Sequence, residues 1–419
     1  MWIEALIFVA GVLLATGYFL LKNRRNTPYL EMDLDALPPL GDDMQALAAI
    51  TGGAVSSGND CRVLQNGALF PAMEADIAAA RHTIHLETFV WTRGELERRL
   101  VDLLIREARA GVRVRVLIDA MGSIGSDSAN LERMTEAGVH LSEYCRPHWW
   151  NLRRFNHRTH RKLLIVDGAI GYAFGHGIAD QWLGDGQDED HWRDTALRVD
   201  GPVVQALQSV FLENWIEETH CVPAGEGSFP RLEARGSSDA HVVSSASGDA
   251  VSSVALLYTL AIASARREVI IQNPYFAPDD GVCELLGMMV KRGVAVHLMV
   301  PGGRTDSPFV RRAGCHLYAR LLSNGVRLYE FGPTLLHQKV VIVDGIWSHI
   351  GSTNFDARSL SLNEEVGIGV RDANIAQQLK TAFQGDLRRS RELSLEQWRR
   401  RRWWSRAFDW FAYQVHDQL

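Results

Sequence analysis

Two copies of one short motif restrict the fold of this chain more than any other feature. Each copy reads His-x-Lys, four apolar residues, Asp and Gly, at 160–168 and again at 337–345. The apolar tetrapeptide predicts a short buried strand of the kind found inside an α/β sheet. Because residues i and i+2 of a strand point to the same side, each histidine shares a side with its lysine.

The two motifs lie inside a longer internal repeat. Segment 82–89 parallels 267–274, and segment 111–118 parallels 293–300, with a further strand after each motif. Strands that alternate with helical stretches predict an α/β fold of two similar lobes, each with a mixed or parallel sheet flanked by helices. Because duplicated lobes usually pack about a pseudo-twofold axis, we expect the two His-Lys strand ends to meet in one cleft.

The first residues predict a membrane anchor. Between Trp2 and Leu21 the only charged residue is Glu4, and basic residues begin at Lys22. About 20 helical residues span the roughly 30 Å hydrocarbon core of a bilayer. A cleaved signal peptide carries its positive charge before the apolar run, so these flanks favour a retained transmembrane helix with the rest of the chain on the cytoplasmic side.

The sequence predicts six segments. They are a transmembrane anchor (1–25), a linker (26–55), a first lobe (56–223), an inter-lobe linker (224–240), a second lobe (241–390) and a basic, aromatic C-terminal segment (391–419).

Two stretches that combine arginine with tryptophan, 146–155 and 399–411, predict contact with an anionic membrane surface. Solvated charged helices are the alternative for both stretches. The net charge of -6 argues against a dedicated nucleic-acid-binding protein.

The motif chemistry favours a phosphate substrate. A lysine beside a histidine repels a metal ion, but it neutralises phosphate oxygens while an imidazole attacks phosphorus. We therefore predict no metal site and no cofactor. Two half-buried strands with polar ends are the alternative interpretation.

On these residues the chain resembles the phospholipase D superfamily and, within it, the bacterial cardiolipin synthases. Besides the two motifs, the resemblance rests on segments 86–89, 192–194, 274–278 and 362–366. It implies a membrane-anchored phosphatidyltransferase that makes cardiolipin from two phosphatidylglycerol molecules and releases glycerol. It also implies a single-pass protein of the bacterial inner membrane. A phospholipase D-type hydrolase, acting on phospholipids or less favourably on nucleic acid, stays open as the alternative.

The resemblance implies a double displacement at phosphorus. His160 is expected to attack and form a phosphohistidine, while His337 protonates the leaving alcohol and later deprotonates the incoming one. The two roles could be reversed. Lys162 and Lys339 are expected to stabilise the phosphoryl charge.

Four carboxylates belong to the candidate site. Asp194 and Glu365 each stand at the head of the strand that follows a motif, and we expect them to hold the far nitrogen of an imidazole. Asp167 and Asp344 complete the two catalytic motifs. The glycine after each of them favours a structural role in a turn over proton transfer.

Substrate contacts are expected from Glu87, Ser352 and Asn354. The first lobe departs from the family pattern, because Gly177 stands where an asparagine is expected. Either a backbone N–H or His176 replaces the missing donor, or the site is asymmetric.

Overall fold

The computed structural model describes residues 32–146, 157–223, 227–246 and 252–415, together with Trp2, Gly11 and Gly225. The predicted anchor, 1–25, lies outside the described residues except for Trp2 and Gly11, and most of the aromatic stretch 146–155 lies outside them too. Among the described residues, no helix is both long and apolar enough to cross a membrane.

The first lobe alternates strands and helices, as the repeat predicts. Helix α1 (Gln45–Ile50) precedes it, and the lobe then runs through β1 (Ser56–Gln65), α2 (Leu69–Ala78), β2 (Thr83–Thr88), α3 (Glu95–Arg109), β3 (Arg113–Asp119), α4 (Ser128–Glu136), β4 (His140–Tyr144), β5 (Leu163–Val166), β6 (Ile170–Phe174), β7 (Thr195–Asp200) and α5 (Val204–Thr219).

The second lobe repeats this order and adds a C-terminal segment. It runs through β8 (Ser238–Ser245), α6 (Ser253–Ala263), β9 (Glu268–Gln272), α7 (Asp280–Lys291), β10 (Ala295–Pro301), α8 (Pro308–Ser323), β11 (Arg327–Phe331), β12 (Val340–Val343), β13 (Trp347–Gly351), α9 (Ala357–Ser361), β14 (Glu365–Arg371), α10 (Ala373–Leu387), β15 (Ser390–Glu392), α11 (Leu395–Arg399) and α12 (Trp403–Gln414). Strand β8 begins inside the segment predicted as the inter-lobe linker.

The strands form one continuous sheet in the order β15-β11-β10-β9-β12-β13-β14-β8-β1-β7-β6-β5-β2-β3-β4. Read outward from the β8–β1 junction, the two halves follow the same plan. In each half three neighbouring strands are parallel, β2-β3-β4 and β9-β10-β11, while the pairs nearer the junction are antiparallel. The prediction of two α/β lobes with mixed sheets is therefore confirmed, and the halves are joined through β1 and β8.

The motif strands lie between three apolar cores. In β5, Leu163 and Ile165 belong to a core shared by both lobes, and Ile342 of β12 reaches the same core from the other side. Leu164 faces the core of the first lobe, and Val341 faces that of the second. Both faces of each strand are buried, which explains why four consecutive apolar residues follow each His-x-Lys. Each such side chain stabilises the fold by about 1.5–3 kcal/mol relative to exposure.

Candidate active site

The two motif histidines lie where the lobes meet. The backbone N–H of His160 donates to the carbonyl of Glu364 at 2.8 Å, and that of His337 donates to the carbonyl of Arg193 at 2.7 Å. In both cases the acceptor belongs to the other lobe and immediately precedes a predicted orienting carboxylate. These backbone bonds therefore place each histidine beside a carboxylate from the opposite lobe.

Each imidazole is held by that carboxylate. His160 Nδ1 lies 2.9 Å from Glu365 Oε1, and His337 Nδ1 lies 2.7 Å from Asp194 Oδ2. The sequence identifies both carboxylates but places each after the motif of its own lobe, whereas the structure pairs it with the histidine of the other lobe. With Nδ1 engaged, Nε2 is the nitrogen available to a substrate.

The two orienting carboxylates differ in charge. Burial acts to raise the pKa of Asp194, but the neighbouring His176, His337 and Lys339 outweigh it and lower this pKa. Burial raises the pKa of Glu365 to about 7, against the opposing effect of nearby Lys162. At neutral pH Asp194 is ionised and Glu365 is partly protonated. His337 therefore faces a carboxylate with a full negative charge, and His160 faces one with a smaller average charge.

The carboxylates also have different supports. The Ser352 hydroxyl donates to Glu365 and accepts from the Val366 N–H at 3.1 Å. In this structure the buried Ser352 hydroxyl is bonded to Glu365, and its contact with substrate stays a prediction. Its counterpart in the first lobe is Gly175, where an added Cβ would lie 2.3 Å from an oxygen of Asp194.

Asp194 is supported by an indole instead of a hydroxyl. Trp182 Nε1 donates to Asp194 Oδ2 at 3.0 Å, and the Trp182 ring meets the His337 ring edge to face at a centroid distance of 5.2 Å. Sequence reasoning missed this residue. The only sequence feature related to Trp182 is the missing side chain at Gly177, because a Cβ added there would lie 2.8 Å from the Trp182 ring.

Further aromatic rings enclose the histidines. Trp192 and Tyr275 lie 5.4 Å and 6.2 Å from the His337 ring, and Phe89 lies 5.3 Å from the His160 ring, measured between centroids. These rings exclude water from the imidazoles and so strengthen electrostatic interactions in the cleft.

The two lysines lie beside their histidines. Lys162 Nζ donates to the carbonyl of His160 at 2.9 Å, and Lys339 Nζ lies 2.9 Å from His337 Nδ1. Burial lowers the pKa of Lys162 to about 7 and that of Lys339 to about 8. Their positive charges are therefore costly to maintain until an anion enters the cleft.

The imidazoles are neutral at pH 7. Burial, followed by the charge of Lys339, lowers the pKa of His337 to about 4. Burial and the charges of Lys162, Lys339 and His337 hold the pKa of His160 well below its usual value. Because groups from both lobes act on His160, the two His-Lys pairs share one electrostatic environment, as the predicted cleft requires.

The expected phosphate donors are unequal between the lobes. Asn354 Nδ2 lies 3.2 Å from Ser359 Oγ, while its buried Oδ1 has no partner. In the first lobe Gly177 offers no side chain, and His176 Nε2 bonds the carbonyl of Asn66 at 2.9 Å.

Glu87 contacts the residue that precedes the first motif. Its fully buried carboxylate accepts hydrogen bonds from Thr159 Oγ1 at 2.5 Å and from Asn214 Nδ2 at 2.8 Å. Burial raises the pKa of Glu87 to about 7. These contacts lie in the protein interior, beside the residue that precedes His160, and substrate binding by Glu87 stays a prediction.

Asp167 and Asp344 close the motif strands at the ends opposite the histidines. Both adopt left-handed backbone angles, φ 53° and φ 54°. The Asp167 carboxylate accepts from the backbone N–H groups of residues 81–83 at 2.7–2.8 Å, and Asp344 binds residues 266–268 in the same way at 2.7–2.9 Å. These contacts fasten β5 to β2 and β12 to β9, which agrees with the structural role that the following glycine favours, and a catalytic role for the two residues stays a prediction.

The assembled cleft suits a phosphodiester. Two neutral imidazoles provide a nucleophile and a proton carrier, and two lysines provide charge for an anion. Within the described ranges, no group of three or more His, Cys, Asp or Glu side chains is arranged to hold a metal ion.

Known proteins match this chain in sequence and in fold. The family described as "Cardiolipin synthase, PLD-like domain" matches residues 73–215 and 258–387. Cardiolipin synthase A of Pseudomonas putida is 35% identical over 87% of this chain and 73% of its own length. The major cardiolipin synthase of Bacillus subtilis is 33% identical over 80% of this chain and 70% of its own length.

A solved structure agrees in fold. Phosphatidylserine synthase of Haemophilus influenzae superposes with a TM-score of 0.67 at 13% identity and covers 90% of this chain and 100% of its own. The resemblance inferred from the motifs is confirmed by the sequence matches, and the paired lobes are confirmed by the fold. The chain belongs to the cardiolipin synthase family of the phospholipase D superfamily.

Proposed function

We propose that this protein is a phosphatidyltransferase that makes cardiolipin from two phosphatidylglycerol molecules and releases glycerol. The observation that carries the proposal is the pair of neutral imidazoles in one cleft, each held through Nδ1 by a carboxylate of the other lobe and each accompanied by a lysine. The relatives named above are cardiolipin synthases, which supports the choice of substrate.

In the first step, His160 Nε2 attacks the phosphorus of one phosphatidylglycerol. A P–N bond forms, and the bond from phosphorus to the headgroup glycerol oxygen breaks. His337, which takes up a proton on Nε2 when the phosphodiester binds, gives that proton to the glycerol oxygen, so free glycerol leaves and a phosphatidylhistidine remains. His337 suits the acid role because the ionised Asp194 favours its protonated form, and the bound phosphodiester adds a negative charge that raises the pKa of this imidazole.

In the second step, a glycerol hydroxyl of another phosphatidylglycerol attacks the same phosphorus. Its proton passes to His337, a P–O bond forms, and the P–N bond to His160 breaks. Cardiolipin leaves, His337 releases its proton as the anionic product departs, and both histidines are neutral again. Lys162 and Lys339 stabilise the oxygens of phosphorus as their charge redistributes in each step.

We propose that the reaction takes place at the bacterial inner membrane. The apolar segment 1–25 supports a single-pass anchor, and its basic flank supports a cytoplasmic position for the lobes. Phosphatidylglycerol in the same bilayer would then supply both substrates.

The experiment is a lipid assay of the purified full-length protein in phosphatidylglycerol vesicles, with cardiolipin, phosphatidic acid and glycerol measured together. We expect cardiolipin and glycerol in equal amounts, in the presence of EDTA, because the lysines supply the charge that a divalent ion would otherwise provide. Phosphatidic acid in place of cardiolipin would identify a hydrolase. His160→Ala should give no product, and replacement of the exposed His140 by alanine is the matched control.

A further inference from the structure

Helix α12 turns five of its six aromatic side chains to the solvent. Trp403 is 74% exposed, Trp404 51%, Trp410 54%, Phe408 47% and Phe411 52%. A surface helix normally turns its apolar stripe towards the protein core. A cluster of exposed aromatic rings of this size marks an interaction surface.

The inner face of α12 carries Asp409, Ala412 and Tyr413, and their contacts fix the helix in place. The buried Asp409 carboxylate binds Arg312 of α8 at 3.2 Å and Arg401 at 2.8 Å. Ala412 packs in a small cluster with Ala277 and Ala313. The helix is therefore held by contacts that do not involve its exposed tryptophans.

The same surface is positively charged. Arg399, Arg402 and Arg406 lie along it, and the only acidic residue between positions 399 and 414 is the buried, ion-paired Asp409. The Arg402 guanidinium lies 4.9 Å from the Trp404 ring centroid. Arg399 and Arg406 line an open cavity of about 720 Å³ together with Trp403 and Trp410.

Helix α12 also contacts a segment that reaches the cleft. Phe408 meets Phe309 edge to face, with ring centroids 6.0 Å apart. Three residues before Phe309, Asp306 accepts a hydrogen bond of 2.6 Å from the Tyr275 hydroxyl, and the Tyr275 ring lies against His337. Segment 306–309 therefore meets the aromatic surface through Phe309 and reaches Tyr275, which lies against the histidine of the second motif, through Asp306.

We infer that α12 and its arginines dock on an anionic lipid bilayer and hold the His337 side of the cleft against the lipid that it consumes. This inference rests on the proposed function. Tryptophan rings occupy headgroup depth and arginines bind anionic headgroups, so the composition and charge of the surface match a bilayer. A second copy of the chain would bring like charges together at the same surface, which disfavours it as the occupant.

The test compares two triple variants of the full-length protein, Trp403→Ser/Trp404→Ser/Trp410→Ser and Arg399→Ser/Arg402→Ser/Arg406→Ser. Arg401 stays unchanged because it neutralises Asp409. Ile124→Ser/Val222→Ser removes similarly exposed apolar side chains elsewhere, 72% and 73% exposed, and is the control for the first variant. Arg62→Ser/Arg235→Ser is the control for the second.

Each variant is assayed on phosphatidylglycerol vesicles and on short-chain phosphatidylglycerol dispersed in detergent. We expect both triple variants to lose at least about 10-fold in rate on vesicles, with the arginine effect shrinking at high salt. Their rates on the dispersed substrate should stay within about twofold of the unchanged protein, as should both rates of the controls, because these sites lie outside the catalytic cleft.

Three outcomes would overturn the inference. Unchanged rates on vesicles would show that the surface does not dock. Equal losses on both substrates would assign the residues to the fold or the cleft. A lipid-free dimer that the tryptophan variant converts to a monomer would identify a second copy as the occupant.

A binding measurement separates this inference from the proposed function. Vesicles of brominated phosphatidylglycerol should quench the tryptophan fluorescence of the unchanged protein more than that of the tryptophan variant, whatever product the enzyme makes. All variants keep residues 1–25, so a difference between them reports on α12. Equal quenching of the two proteins would contradict the docking inference even if cardiolipin forms. Different quenching, with no cardiolipin from either substrate, would contradict the proposed function and leave the docking inference intact.

Discussion

The Nδ1 atom of His160 lies 2.9 Å from the carboxylate of Glu365, although 205 positions separate the two residues. The reverse pair, His337 and Asp194, is 2.7 Å apart. Each lobe therefore supplies one histidine and the carboxylate that holds the histidine of the other lobe. We infer that neither lobe builds a complete catalytic group alone.

The two orienting carboxylates should differ in importance. Asp194→Asn should lower kcat by roughly 100-fold or more, because it removes the anion that stabilises a protonated His337. Glu365→Gln should lower kcat by a smaller factor, since the pKa of Glu365 is raised to about 7 and part of its charge is already absent at neutral pH. The measurement is kcat on dispersed phosphatidylglycerol at pH 7.

Asp167→Asn is the control for both variants. It should lower the melting temperature through weaker backbone contacts, while kcat of the folded protein changes little. Equal losses of kcat in Asp194→Asn and Glu365→Gln would contradict the inferred division of roles.

Trp182 should act through Asp194. Trp182→Phe keeps a ring beside His337 but removes the indole N–H that donates to the carboxylate. A hydrogen bond to a charged group is worth about 1.5–3 kcal/mol, so we expect kcat to fall about 10-fold or more. Trp192→Phe is the matched control because Trp192 meets His337 through its ring. A loss confined to KM, or an equal fall of kcat in the control, would argue against this role.

The phosphate contacts should be asymmetric between the lobes. Asn354→Ala should lower kcat by at least about 10-fold, as expected when a hydrogen bond to the transition state is removed. Gly177→Ala should reduce stability, because the new Cβ would lie 2.7 Å from Val90 Cβ and 2.8 Å from the Trp182 ring. Kinetics of the first variant and thermal unfolding of the second check these outcomes. Full activity of Asn354→Ala would show that another group holds the phosphate.

The alkaline side of the pH profile should report on the lysines. Burial lowers the pKa of Lys162 to about 7 and of Lys339 to about 8, so both lose their protons as pH rises through this range. Because the deprotonated amines no longer attract a phosphodiester, kcat/KM should begin to fall near pH 7 and fall more steeply above about pH 8. A profile of kcat/KM on dispersed substrate between pH 6 and 9.5 tests this. A flat profile up to pH 9.5 would mean that both lysines keep their charge.

The sequence was sufficient for the elements that local pattern controls. Four apolar residues after His-x-Lys predict a strand buried on both faces, and β5 and β12 have this property. The glycine turn after Asp167 favours a structural role, which agrees with its contacts to the backbone of residues 81–83. The alternation of strands and helices likewise predicts the mixed sheets.

Relationships that depend on how the lobes pack were beyond the sequence. The residues around Glu365 in sequence do not indicate that it faces His160 in preference to His337, because strand ends from both lobes meet in the same cleft. Ser352 and Glu87 are predicted to contact substrate, yet in this structure tertiary contacts turn their oxygens towards protein partners. The indole of Trp182 fills space that Gly177 leaves open, and only the packed structure shows which ring enters it.

The most direct test of the shared site is to capture its covalent intermediate. The full-length protein is mixed with phosphatidylglycerol, quenched in mildly alkaline denaturant to preserve the P–N bond, digested and examined by mass spectrometry. We expect phosphatidylhistidine at His160, no adduct in His160→Ala, and no cardiolipin from His160→Ala or His337→Ala, because the two residues act as a unit. An adduct at His337, or turnover without any adduct, would contradict this mechanism.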